Sequence, residues 1–169
     1  PGRSSWPDFL NPKTREWWAN LFVDSRWPGK DDRVFIWNDM NEPSVFDIWD
    51  KTFPRDLVHY HNIEHREVHN IYGHLNVAST YQGLLKRNQN IRPFILTRSF
   101  FAGSQKYCMM WTGDNKADWN FLRGSIRTCL SLSISGFSGV GADVGGFFND
   151  ASPQLLSRWY QVGAWCYAF

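Results

Sequence analysis

Two carboxylate-bearing segments dominate the chemistry this chain could do. Residues 37–42 read W-N-D-M-N-E and residues 111–115 read W-T-G-D-N. Each follows a strand-like apolar run, Val34-Phe35-Ile36 in the first case and Tyr107 to Met110 in the second. Each sets an Asp close to a Trp where the run ends. Two acids on separate strand ends suit the cleavage of a glycosidic bond: one carboxyl protonates the leaving oxygen, and the other attacks the anomeric carbon or activates water against it. Carboxyls about 5 Å apart would retain the anomeric configuration, and a much wider gap would invert it. Spacing in the sequence leaves that choice open. It also leaves open a plainer role for Asp39 and Asp114 as turn or capping residues, where Asp is common. The neighbouring indoles of Trp37 and Trp111 suit the apolar C–H faces of a sugar ring.

Three further residues stand where they could serve such a site. Glu42 lies three residues after Asp39. Arg98 ends the run Pro93 to Thr97, where it could hold a substrate hydroxyl, keep a carboxylate ionised, or form a rim salt bridge. Asp143 follows the run Phe137 to Ala142 and precedes Gly145-Gly146-Phe147. Those glycines let the backbone turn close to a ligand, or simply turn.

Other chemistries fit poorly. All five His fall between His59 and His74, and His61, His65 and His69 are spaced by four, as on one helical face. The order His65-Arg66-Glu67-Val68-His69 is not the zinc pattern H-E-x-x-H, so a hydrogen-bonding helix face is expected. Gly136, Gly139 and Gly141 form G-x-x-G-x-G rather than the dinucleotide fingerprint. Ser138 sits in no nucleophile elbow. Cys108, Cys129 and Cys166 are odd in number and far apart, which reads as buried thiols. Lys and Arg number 18 against 16 acidic residues, a net charge of +2, so no nucleic-acid footprint appears. No apolar stretch is long enough to span a membrane. Aromatic content is 17%, with ten Trp, enough for both a heavy core and a ring-stacking cleft.

The elements that must position these residues follow from periodicity. Asn11-Pro12 opens a helix, with Asn11 as its cap, that runs over 14–23 and turns Trp17, Trp18, Leu21 and Phe22 inward. Trp27-Pro28-Gly29 is a turn. Short buried strands are expected over 33–38, 93–97 and 107–111, with a Gly-rich strand over 137–144. Helices are expected over 64–86, over 118–134 with Leu122, Ile126, Leu130 and Ile134 inward, and over 153–167. Residues 42–63 read as a long loop. Strands alternating with helices predict an α/β fold with a parallel sheet. Acids at strand ends predict the catalytic face of a (β/α)8 barrel, of which roughly four of eight units are present. The start at Pro1 reads as the interior of a longer protein.

The motifs resemble glycoside hydrolase family 31. W-N-D-M-N-E-P-S-V-F at 37–46 is similar to its nucleophile signature and W-T-G-D-N to its acid/base signature. E-H-R-E-V-H-N-I-Y-G at 64–73, R-P-F-I-L-T-R-S-F-F-A-G-S-Q-K-Y at 92–107 and G-A-D-V-G-G-F-F at 141–148 extend the likeness, which runs from W-P-D-F at Trp6 to the chain end. The resemblance implies a partial TIM barrel acting as a retaining exo-α-glucosidase without metal or cofactor. It makes Asp39 the nucleophile and Asp114 the acid/base, with Glu42 supporting Asp39. Arg98 and Asp143 would bind the terminal glucose, and Trp37, Met40, Trp111 and Phe147 would wall the pocket. The substrate would be an oligosaccharide or N-glycan. One branch of the family implies a regulatory β subunit and the endoplasmic reticulum lumen; the alternative is the cytoplasm. The family's substrate-binding His would fall past Phe169, and an Asp and a Trp of the pocket before Pro1. Residues 47–50, Gly139 and Tyr167 depart from the pattern. Truncation, with Gly139 and Tyr167, supports a second reading, a truncated or divergent homologue without catalytic activity that at most binds sugar or a partner. Open sheet edges predict marginal folding of the 169-residue segment alone.

Overall fold

A computed structural model of the chain describes residues 5–25, 27 and 31–165. Its centre is a four-stranded parallel sheet in the order β1 (Ile36–Asn38), β4 (Ile95–Thr97), β5 (Met109–Trp111) and β6 (Val140–Gly141). Helices α2 (His65–Arg87) and α3 (Trp119–Ile134) pack on it, with α1 (Pro12–Leu21) against α2 and α4 (Pro153–Trp165) against α3. The α/β class with a parallel sheet is as expected, but the strands are shorter, and the Gly-rich segment pairs over two residues only. Gly145 and Gly146 have φ of 91° and 88°, so the chain turns out of the sheet there.

Local signals set the helix ends. Asn11 caps α1 by accepting from the Lys13 N–H at 2.9 Å, with Pro12 in the first turn. Glu64 and Glu67 form a reciprocal capping box at the start of α2. Asp118 accepts from the N–H groups of Asn120 and Phe121 to start α3. Residues 42–63 are not only loop: β2 (Val58–His59) and β3 (Ile63–Glu64) pair antiparallel, with a 3-10 turn between them. Only a second 3-10 turn, Ser104–Lys106, lies between β4 and β5.

Packing corrects the inward faces read from spacing. Along α3 the buried residues are Leu122, Ser125 and Cys129, whereas Ile126, Leu130 and Ile134 are exposed. A strict four-residue row drifts by about 40° per step around a 3.6-residue helix, so it leaves the sheet-facing side. Trp17 is exposed, and Ala19 takes the buried position on α1. In α4, Leu155 and Trp159 are buried and Trp165 is exposed. Pro28, Gly29, Cys166 and Tyr167 lie outside the described residues.

Aromatics hold α1 against α2. Phe9 meets Trp18 and Tyr72 edge-on, with ring centroids 5.3 and 5.5 Å apart, and such pairs add about 0.5–1.5 kcal/mol each beyond area burial. Trp18 donates its indole N–H to Thr80 Oγ1 at 2.9 Å. Cys129 is buried with Met110, Phe137 and Val140, and Cys108 packs on that cluster.

Candidate active site

Parallel pairing puts all four strand C-termini on one side of the sheet, and register decides which side chains meet there. Asn38 on β1 is opposite Thr97 on β4, and the Arg98 N–H donates to the Asn38 carbonyl at 3.2 Å. Asp39 and Arg98 are therefore the first residues past the paired ends of neighbouring strands. Trp111 on β5 is opposite Gly141 on β6, so Asp114 and Asp143 leave the same edge a few residues later.

Three of the expected acids, Glu42, Asp39 and Asp114, converge on one cation, Arg98. The Arg98 guanidinium donates to both carboxylate oxygens of Glu42, Nε to Oε1 at 2.8 Å and Nη2 to Oε2 at 3.1 Å. Its Nε lies 3.3 Å from Asp39 Oδ1, and its Nη1 lies 3.5 Å from Asp114 Oδ1. The arginine side chain is only 18% exposed, while Asp39 and Asp114 keep 36% and 37% of theirs open. The cation is thus sunk beneath two acids that a ligand can reach. The Glu42 hydrogen bonds, ahead of the charges of Glu42, Asp39 and Asp114, hold the Arg98 pKa above its ordinary value. Asp143 joins electrostatically: burial pushes its carboxyl up, and the charges of Asp114 and Asp39 add to that.

The turn after β1 aims its acids. Met40 takes a left-handed backbone, φ 57°, uncommon for a residue with a side chain, and its N–H donates to Asp39 Oδ1 at 2.7 Å. Met40 thus enters the site through its backbone. Trp37 and Trp111, on strands separated by β4, meet edge-on with centroids 5.3 Å apart. Trp111 is buried and Trp37 is exposed, a wall with one open face. Phe147 is exposed, and its ring meets Phe148 rather than the two indoles.

Two buried asparagines were missed in the sequence. Asn115 accepts from the Phe147 N–H through Oδ1 at 3.0 Å and donates from Nδ2 to the Asp143 carbonyl at 3.2 Å. It ties the Asp114 turn to the loop after β6. Asn41 ties the β1 loop to the end of β4. Both stand inside the quoted motifs, yet their partners are distant in the chain.

The histidines form a line, though not the one expected. His59 Nε2 lies 2.9 Å from His65 Nδ1, His65 Nε2 lies 2.8 Å from His69 Nδ1, and His59 Nδ1 lies 2.9 Å from Asp8 Oδ1. His61 is off this line, in the turn between β2 and β3, with φ 64°. Gly139, a departure from the family pattern, sits at the entrance of β6. A Cβ there would come 2.5 Å from Met109 Cγ, at the strand end opposite the acids.

The signature of the glycosyl hydrolases family 31 TIM-barrel domain matches residues 1–169. The chain belongs to this family. It is 55% identical over 165 residues to a probable glucan 1,3-alpha-glucosidase of Oryza sativa subsp. japonica, covering 97% of this chain and 18% of that protein. It is 54% identical over 166 residues to neutral alpha-glucosidase C of Homo sapiens, covering 98% and 18%. Among solved structures, the alpha3-Glc2-bound form of the glucosidase II alpha subunit superposes with a TM-score of 0.91 at 52% identity, over 96% of this chain and 18% of that one. The chain thus spans about a fifth of the length of these relatives, and its sheet and helices are a segment of the family's barrel.

Proposed function

We propose that the protein carrying this segment is a retaining exo-α-glucosidase. Asp39 attacks the anomeric carbon of a terminal α-linked glucose and forms a glucosyl ester. Asp114 protonates the departing oxygen, then takes a proton from the water that releases the sugar. Glu42 holds Arg98 in place beside Asp39. Asp143 and Arg98 bind the glucose hydroxyls, and Trp37, Met40, Trp111 and Phe147 wall the pocket. The observation that carries this reading is the shared cation: acids from the ends of β1 and β5 are drawn to one guanidinium, with both still open to a ligand.

The substrate we propose is an oligosaccharide or N-glycan ending in α-linked glucose. The names of the relatives support it, one a glucan 1,3-alpha-glucosidase and another an alpha subunit bound to alpha3-Glc2. A similar chain forms an ER glucosidase II heterodimer with the binding domain of a regulatory subunit. That supports a regulatory partner and the endoplasmic reticulum lumen as proposals for this protein. The test is to hydrolyse an aryl α-glucoside with the full-length protein and to follow the first-formed sugar by NMR. α-Glucose released first is the expected result; β-glucose first, or no hydrolysis, overturns the reading.

A further inference from the structure

Between Asp39 and Glu42 lies a side chain that the reaction itself does not need. Asn41 is buried, and its amide is fully engaged. Nδ2 donates to Asn76 Oδ1 at 3.1 Å and to Thr97 Oγ1 at 3.0 Å, and Oδ1 accepts from the Ser99 N–H at 3.1 Å. Thr97, itself fully buried, donates a hydrogen bond from its hydroxyl to the Ser99 carbonyl at 2.9 Å. One amide therefore grips the chain on both sides of Arg98. We propose that Asn41 is a positioning residue, locking the loop that carries Asp39 and Glu42 to the turn that carries Arg98, so that the guanidinium meets all three acids together. This inference rests on the glucosidase reading of the site.

The chemistry of the position supports the assignment. An amide has two N–H donors and an acceptor oxygen, and all are used here. It supplies them without charge beside a cluster that already holds three carboxylates around one cation. The clamp is also closely backed. At Gly73 on α2, an added Cβ would overlap Ser99 Oγ and come 2.9 Å from the Asn41 carbonyl oxygen. The helix thus presses on both ends of the clamp at a point where only glycine fits. Displacements of about 1 Å in a catalytic group can cost on the order of a hundredfold in rate, so small slips here should be visible in turnover.

The experiment uses the full-length protein, its Thr97→Val, Thr97→Ser and Asn41→Ala variants, and an aryl α-glucoside. Valine keeps the shape of threonine and removes the hydroxyl that Asn41 holds. Serine keeps the hydroxyl and removes a methyl from a buried site. The clamp predicts that Thr97→Val and Asn41→Ala lower kcat by about ten- to a hundredfold with KM within about threefold, while Thr97→Ser stays near wild type. A packing role alone predicts the reverse order, with serine the more damaging. Wild-type kcat in Thr97→Val, or equal loss in valine and serine, overturns the inference while leaving the glucosidase reading intact. A wild-type protein without hydrolysis overturns the glucosidase reading, and the inference falls with it.

Discussion

Arg98 and Glu42 form a two-pronged pair, with Nε to Oε1 at 2.8 Å and Nη2 to Oε2 at 3.1 Å. That fork fixes the plane of the guanidinium, and the plane decides whether Nη1 still reaches Asp114. A lysine would supply charge without the fork. Arg98→Lys should therefore lower kcat/KM by on the order of a hundredfold, although the net charge is unchanged. Activity within a few-fold of wild type would mean that charge alone matters here.

Asp143 should cost the fold stability at neutral pH. Its folded pKa is raised, first by burial and then by Asp114 and Asp39. A raised carboxyl weakens the fold at every pH above its ordinary titration range, and the penalty fades as pH falls through the raised value. Asp143→Asn should raise the melting temperature at neutral pH by a few degrees and lower kcat/KM by about a hundredfold. The gain in stability should vanish in acid. A variant less stable than wild type at neutral pH would contradict this account.

His65 should make stability fall in mild acid. Burial, then His69 and His59, lowers its pKa from 6.5 to about 4. The unfolded chain takes up a proton near the ordinary value while the fold resists. Stability is thus full above about 6.5, declines towards pH 4, and levels off below. The loss should be about 1–3 kcal/mol. Denaturant titrations at several pH values would measure it, and the slope over that window should shrink in His65→Gln. An equal slope in the variant would place the effect elsewhere.

Gly73 should tolerate no side chain. Gly73→Ala drives a methyl into Ser99 Oγ and the Asn41 carbonyl, and overpacking of this kind costs about 1–3 kcal/mol. Gly124 provides the control, since a Cβ there meets nothing within 4 Å. Gly124→Ala in α3 should be neutral or stabilising. Equal unfolding free energies for the two variants would contradict the close approach.

Much of this was legible in local sequence. The cap Asn11 marks the start of α1, the helix expected over 118–134 is α3, and W-N-D-M-N-E and W-T-G-D-N place acids just past β1 and β5. Register was not legible. Nothing in the chain announces that Asp39, Glu42 and Asp114 share Arg98, because that depends on Asn38 pairing with Thr97. Asn41 and Asn115 are silent in the sequence, since an uncharged amide gives no signal until its partners, 28 to 58 residues away, are known. Spacing by four misled in α3, where the buried stripe runs through Ser125 and Cys129, and in the histidines, where His59 from β2 takes the place read for His61.

Asp39 is the residue proposed to attack the sugar. The full-length protein should be incubated with a fluorinated α-glucosyl fluoride, which forms the glycosyl ester faster than the ester is released, and then weighed intact and mapped by peptide. A single fluoroglucosyl adduct is expected on the peptide that contains Asp39, absent in Asp39→Asn. An adduct on Asp114, or hydrolysis without any trapped ester on Asp39, would contradict it.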